Sequence, residues 1–297
     1  MPELPEVETV CKGLRPVLVG QKVQAVEQRR PDLRFPFPDN FVKTLKGATI
    51  TDLSRRAKYI LAHLDKGQIL VMHLGMSGRF SIIEKNGEED AAQSPNPAHD
   101  HVVFRMKSGA EIRYNDPRRF GFMILIKGSE LNEHKFFRNM GIEPLGDEFS
   151  PAFLAKAAFE KATSLKAFLL NQQIVAGLGN IYVCEALHRA KLSPKDPASV
   201  LANKKGKDNQ KSRTLVPIIK SVLKEAIDAG GSTLKDHRQA DGSLGYFQHT
   251  FAVYGREGAV CTRAKCTGLI QRITQNGRST FYCAKCQRSH INNVTGR

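Results

Sequence analysis

Apolar residues near the start of the chain fall at Val7, Val10, Cys11, Leu14 and Leu18, the spacing of one helical face, and Gly20 closes the element. From there to about residue 130 the pattern becomes strand-like. Residues 50–53, 59–64, 69–74, 80–83, 102–106, 111–114 and 122–126 are short apolar-rich runs punctuated by glycine. Such runs behind a single helix predict a β-sandwich. The polar stretch 84–100 carries two prolines and reads as a mobile loop. Helical periodicity returns at Ser150-Pro151, which opens a helix through Phe159. Ser164 caps another, and 174–190 and 216–229 supply two more. Between the last two, 203–213 is basic and aperiodic, the pattern of a disordered connector. Finally, 269–282 alternates as two short strands about Asn276-Gly277, a hairpin turn signal. No internal repeat is evident. The chain is therefore expected to be α+β, with an N-terminal β-sandwich domain at 1–132, a helical domain at 150–240 and a small ribbon at 252–290.

Composition narrows the class. With 297 residues and 41% hydrophobic content, there is enough chain for two substantial domains plus an appendage. No apolar run approaches membrane-spanning length, so no membrane partner is expected. The formal charge of +16 implies a polyanionic partner, most simply nucleic acid. No signal peptide precedes the cysteines, and the expected compartment is the reducing cytoplasm.

Two constellations carry chemistry. Cys261 and Cys266 are separated by four residues, and Cys283 and Cys286 by two, with sixteen residues between the pairs. Four thiolates in two pairs fit one structural zinc ion in a closed tetrahedral site. A redox dithiol is the rival reading, but that motif belongs beside a βαβ pattern, and this pair lies in a terminal hairpin. Zinc ribbons usually have two residues in the first spacing, so this first knuckle must be enlarged. The second constellation is Pro2-Glu3-Leu4-Pro5-Glu6-Val7. Removal of Met1 would leave a secondary amine beside a carboxylate, a nucleophile able to form an iminium ion with an aldehyde-like carbon. An α-amino group has a pKa of about 7.7 to 8.0, so a neutral fraction is available near pH 7. The other reading is that Pro5 occupies a first helical turn whose dipole Glu3, Glu6 and Glu8 complement.

The front segment, the sequence Gly177-Leu178-Gly179-Asn180-Ile181-Tyr182 and the four-cysteine ribbon occur together. That combination resembles the bacterial formamidopyrimidine-DNA glycosylase family along essentially the whole chain. The resemblance implies a helix-two-turn-helix domain after the β-sandwich, a zinc ribbon, and double-stranded DNA held in a cleft between the halves. It implies excision of oxidised purines such as 8-oxoguanine and formamidopyrimidines, followed by β,δ-elimination at the abasic site, by a monomer. Pro2 matches the family's nucleophile and Glu3 its general acid/base, with Glu6 in support. Lys58 matches a lysine near the lesion. Lys166 and Asn180 match residues that grip phosphates flanking the extruded nucleotide, and Arg278 matches the ribbon's arginine. Met76, Arg118 and Phe120 match the wedge that fills the vacated stack, and 232–246 matches the loop that closes over the base. An endonuclease VIII-like enzyme for oxidised pyrimidines shares this chemistry; Leu4 and the complete Met76, Arg118, Phe120 set argue for the purine enzyme. A noncatalytic zinc-ribbon DNA-binding protein explains the charge and cysteines but not the proline-glutamate start.

Overall fold

The computed structural model describes residues 2–83, 96–232 and 245–289. It divides into two compact units, Met1–Asn139 with Ala226–Gln248, and Met140–Glu225 with His249–Arg297. The expected loop at 84–100 and the expected closing loop at 232–246 fall largely outside the described residues.

In the first unit, helix α1 (Leu4–Leu18) carries proline in its first turn and buries Leu4, Val7, Val10, Cys11, Leu14 and Leu18, the face its spacing predicts. There follow β1 (Val23–Gln28), the short α2 (Phe41–Leu45), β2 (Ile50–Arg56), β3 (Tyr59–Leu64), β4 (Gln68–His73), β5 (Arg79–Ile83), β6 (Asp100–Met106), β7 (Glu111–Asn115) and β8 (Phe122–Lys127). They pair antiparallel into two four-stranded sheets, ordered β2-β3-β4-β8 and β1-β6-β7-β5. Alternate residues of both sheets, Ile60, Ala62, Leu70 and Met72 in one and Val102, Phe104, Ile112 and Tyr114 in the other, share one core with α1. The apolar pattern does not announce β1, because only Val23 and Val26 of its six residues are buried and it pairs on one side alone.

Helix α1 runs antiparallel to β2, and two ion pairs record the direction. Arg15 near the helix end meets Asp52, at 2.9 Å, and the Leu53 carbonyl. Glu8 in the second turn meets Arg55, near the other end of the strand, at 2.7 Å. The helix start therefore lies at the end of β2 that turns through Ala57-Lys58 into β3.

In the second unit, α3 (Pro151–Ala158) and α4 (Leu165–Leu170) begin as the sequence predicts, with Ser150 and Ser164 hydroxyls accepting from the Phe153 and Ala167 amides. Helix α5 (Asn180–Arg189) starts six residues later than its apolar period suggests. Gly177 stands at φ +83°, outside helical geometry, and the Gln172 side chain takes the place of helix bonds by accepting from Gly177 N and donating to the Leu170 and Leu178 carbonyls. Helix α6 (Gln210–Asp228) conversely starts earlier than predicted. The 203–213 segment is not a structureless connector: Asn203 Oδ1 accepts from the Lys205 and Lys207 amides, and Asn209 Oδ1 from Lys211 and Ser212 at the helix entrance. Asparagine supplied by side chain what the apolar pattern could not signal. Strands β9 (Ile270–Gln275) and β10 (Arg278–Cys283) form the expected hairpin, with Asn276 and Gly277 at φ +50° and +72°. Among the described residues no helix is long and apolar enough to cross a membrane.

One buried acid holds the hairpin segment to α5. Glu185, 1% exposed, accepts from the Ala252, Val253 and Tyr254 amides at 2.9, 3.0 and 2.9 Å. Its truncation strands one buried and two half-buried donors, so Glu185→Ala is expected to cost about 3 kcal/mol and Glu185→Gln less, since one carbonyl acceptor remains. Urea unfolding followed from the second unit measures this, and a change within about 0.5 kcal/mol would contradict it.

Candidate active site and nucleic-acid interface

Strand register gathers the first unit's candidate residues. Tyr59 pairs with His73, and His73 with Phe122, so three connections leave the sheet at one end: the Ala57-Lys58 turn before β3, residues 74–78 after β4, and residues 116–121 before β8. The start of α1 comes to that same end. Pro2, Glu3, Glu6, Lys58, Met76, Arg118 and Phe120 all lie on these segments.

Pro2 is buried, and Glu3 is 3% exposed as the residue capping α1. Glu6, 2% exposed, divides its carboxylate between two segments: Oε2 accepts from Glu3 N at 2.8 Å and Oε1 from Ser232 N at 2.9 Å. Gly231 permits this approach. It stands at φ +82°, and a Cβ there would lie 3.2 Å from Glu6 Cγ. The helix-start reading of the front segment is what this geometry shows: the acids organise the start of α1, and Pro2 is buried next to Glu3.

Lys58 is 8% exposed at the tip of the β2–β3 turn, where Ala57 adopts φ +52°. Arg55 braces that turn, donating to the Ala57 carbonyl at 3.0 Å while its Nε holds Glu8. Near Lys58 lies His73, which sequence reasoning passed over. Burial, with the charges of Lys58 and Arg34, pushes its pKa down to about 4. Its Nδ1 accepts from Gly75 N at 3.0 Å and the ring stacks on Phe122, so it is a neutral imidazole with the proton on Nε2.

The two loops are locked together through Asp116, 0% exposed, which accepts from Ser77 Oγ at 2.5 Å, Gly121 N at 2.8 Å and Tyr114 Oη at 3.3 Å. Their backbones touch. A Cβ on Gly75 would sit 2.3 Å from Gly121 N, and one on Gly121 1.8 Å from the Tyr114 hydroxyl. This rigid pair of loops presents Met76, 37% exposed, and Phe120, 43% exposed, with the exposed Arg118 guanidinium 4.8 Å from the Phe120 ring centroid. What sets these two exposed apolar side chains apart is that they stand on loops locked to each other. Asp116 was not singled out from sequence, although Asp-Pro followed by two arginines marks a turn whose acid must find local donors.

In the second unit, Lys166, Asn180 and Arg278 converge on the start of β10. Lys166 is 1% exposed and donates to Ser279 O at 2.9 Å and Thr280 Oγ1 at 2.6 Å. Asn180 Nδ2 donates to the same Ser279 carbonyl at 2.9 Å. The neighbouring Arg278 is exposed, and with Lys166, Asn171, Gln275 and Asn276 it lines a concavity of about 220 Å³.

At the other end of the hairpin, Cys261, Cys266, Cys283 and Cys286 place their sulfurs within 4.8 Å of one another. Two of these separations, 3.9 Å between Cys261 and Cys286 and 3.7 Å between Cys266 and Cys283, match the edge of about 3.8 Å expected for a tetrahedron with 2.3 Å metal–sulfur bonds. Gly268 makes room, since a Cβ there would lie 2.7 Å from Cys283 Sγ. The four residues can hold a metal ion. Cys184 is buried in the core cluster that also contains Cys261 and Cys283, and Cys11 in the core of the first unit, where burial raises its thiol to about 11.

His73 gives the first unit a pH signature. Its native pKa of about 4 lies below the unfolded value near 6.5, so between those values the unfolded chain binds a proton that the native state does not. Stability therefore rises with pH across that window and is lost on acidification. His73→Gln is expected to abolish this share. Whatever the substitution costs at pH 7, the gap to the wild type should close by about 2 kcal/mol at pH 5. Denaturant unfolding at the two pH values checks this, and an unchanged gap would remove the neutral-imidazole assignment.

Residues 1–123 match the family model described as formamidopyrimidine-DNA glycosylase N-terminal domain, and residues 140–238 the one described as formamidopyrimidine-DNA glycosylase H2TH domain. A curated formamidopyrimidine-DNA glycosylase of Beijerinckia indica is 62% identical over 291 residues, covering 97% of this chain and 100% of that protein. Among solved structures, the MutM (Fpg) protein of Thermus thermophilus is 37% identical with a TM-score of 0.81, covering 96% of this chain and 98% of its own. A Lactococcus lactis Fpg variant in complex with DNA containing Fapy-dG is 32% identical with a TM-score of 0.84, covering 97% and 100%.

Proposed function

The chain belongs to the formamidopyrimidine-DNA glycosylase family, and from that premise we propose that it excises oxidised purines from duplex DNA and cleaves the abasic strand through the Pro2 amine. The observation that carries this reading is the burial of Pro2 and Glu3 together, at the sheet end that also holds Lys58 and the two loops bearing Met76, Arg118 and Phe120.

With Met1 removed, the Pro2 nitrogen attacks C1′ of the damaged nucleotide and the glycosidic bond breaks, its electron pair leaving with the base. Glu3 protonates the sugar ring oxygen as the ring opens, which gives an iminium ion between Pro2 and C1′. The iminium withdraws electrons and acidifies the C2′ proton. Loss of that proton expels the 3′ phosphate, and a second elimination expels the 5′ phosphate, leaving a one-nucleotide gap with phosphates at both ends. Glu6 positions Glu3 through its amide. Lys58 supplies positive charge beside the lesion, and the neutral His73 leaves Lys58 the ammonium at that point.

Extrusion of the base leaves a gap in the stack. Met76 and Phe120 fill it, and Arg118 hydrogen-bonds the base left unpaired. Lys166, Asn180 and Arg278 hold flanking phosphates. Arg278 is exposed and does so directly, whereas the nearly buried Lys166 acts mainly through its field and by bracing Ser279. The four cysteines hold one zinc ion with a structural role. Thiolate ligands suit a reducing cytoplasm.

Borohydride reduction during reaction with duplex containing 8-oxoguanine opposite cytosine should trap a covalent complex through Pro2. Glu3→Gln should lose base excision while keeping most DNA affinity, because the basic surface is unchanged. A protein that binds this duplex but yields no trapped adduct is a binding module, and the enzymatic reading then fails.

Phe120→Ala separates the wedge from the chemistry. It should slow single-turnover excision from duplex by tens-fold, since unstacking costs a few kcal/mol per step, while cleavage of a single strand already carrying an abasic site changes little. Equal proportional losses on both substrates would show that Phe120 supports the fold instead.

A further inference from the structure

The enlarged first knuckle takes no part in the chemistry at Pro2 or in the grip at Arg278, yet it helps to build a concavity larger than the one at Arg278. This pocket, about 420 Å³, lies against two of the metal-site cysteines and is walled by Lys191, Arg263, Lys265, Lys285 and Arg288, with no carboxylate in its lining. The cations come from separate segments: Lys191 follows α5, Arg263 and Lys265 lie between the first cysteine pair, Lys285 lies between the second, and Arg288 follows it. Lys191 and Lys265 both stand in left-handed backbone, at φ +57° and +63°, a conformation disfavoured for residues other than glycine.

Two ordinary explanations cover part of this charge. Four thiolates around one divalent ion carry a net charge of −2, which two of the cations offset. Arg263 has a structural task of its own, because its Nη2 donates to the His188 and Arg189 carbonyls at 2.7 and 3.1 Å and so caps the negative end of α5. Three cations would still surround one concavity after compensation, or two if Arg263 is set aside. Like charges held together in a recess repel unless an anion joins them.

We propose that the knuckle pocket is a second phosphate-binding site, which holds the backbone of duplex DNA away from the damaged nucleotide. The site cannot share its phosphate with Arg278. That residue starts β10 and Cys283 ends it, and six strand residues put about 17 Å between hairpin tip and knuckles. The proposal rests on the reading that the chain's substrate is duplex DNA, and it adds a phosphate grip that the excision chemistry does not require. A free phosphate offers the same chemistry as a DNA backbone, so the test must distinguish them.

The full-length protein carrying Lys265→Gln, Lys285→Gln and Arg288→Gln is compared with wild type for binding to a long undamaged duplex over a range of salt, with bound metal measured as the check on the ribbon. The slope of log affinity against log salt should fall by about 0.9 for each phosphate that the variant no longer neutralises. Lys265→Arg with Lys285→Arg should restore it. Should the triple variant lose its metal, Lys265→Gln alone still reads out as a fall of about 0.9. Duplex should also protect Lys265 and Lys285 from acylation, and inorganic phosphate at equal phosphate concentration should not. Slopes equal to wild type, or protection by inorganic phosphate alone, overturn the proposal. Either result leaves the Pro2 chemistry, tested by trapping in the wild-type protein, untouched.

Discussion

A carboxylate buried to 2% exposure must find donors inside the protein, and the donors that Glu6 finds decide where the start of α1 lies. One oxygen takes the amide of Glu3 and the other the amide of Ser232, more than two hundred residues away in sequence. Hydrogen bonds to a charged group are worth about 1.5 to 3 kcal/mol each, and loss of one partner strands a buried charge, so neither segment can drift independently. Asp116 and Glu185 repeat the device. The first ties residues 74–78 to 116–121, and the second ties α5 to three consecutive amides of 252–254. Each of the three acids positions loops whose own backbone has no regular ladder to hold it.

Rigid loops are what keeps two large apolar side chains out in solvent. Met76 and Phe120 gain nothing in the free protein from facing water, and on flexible loops they would collapse onto the nearest apolar surface. Close approach of Gly75 and Gly121, possible only without Cβ atoms, gives the two loops a common rigid base. The same use of glycine recurs at Gly268, which lets the two cysteine pairs approach to metal-binding distance. In both places the absence of a side chain lets chemically useful neighbours meet.

How legible was this in the sequence? Helix α1 was readable because its burial is one-sided and writes a period into the chain, and the strands of the sandwich because runs such as 69–72 and 102–104 are buried at consecutive positions between turns. The two Ser-capped helices and the Asn-Gly hairpin were readable because their signals are local. Where a side chain replaced a backbone bond, the period misled: Gln172 delays α5, and Asn209 advances α6. Strand β1 was missed because an edge strand with two buried residues writes almost no pattern. At the site, types and spacings singled out the cysteines, Pro2 and Glu3, while the remaining candidates came from the family resemblance. His73, Asp116 and Glu185 were not singled out, because what each does also depends on groups the fold brings near: Lys58 and Phe122 for His73, Ser77 for Asp116 and the amides of 252–254 for Glu185.

The placement of charge separates two kinds of cation. Lys58 and Lys166 are 8% and 1% exposed, whereas Arg118 and Arg278 stand in solvent. A buried ammonium is poorly screened by salt and acts as a fixed source of field, which suits stabilising a phosphate or a developing charge at one defined point. An exposed guanidinium offers a planar fork that can follow whatever base or phosphate arrives. Neutral His73 fits this division, because a second full charge beside Lys58 would favour deprotonation of the lysine itself. The net charge of +16 is therefore not a uniform coat. Part of it is sunk into the fold at fixed points, as at Lys58 and Lys166, and part stands in solvent, as at Arg118 and Arg278.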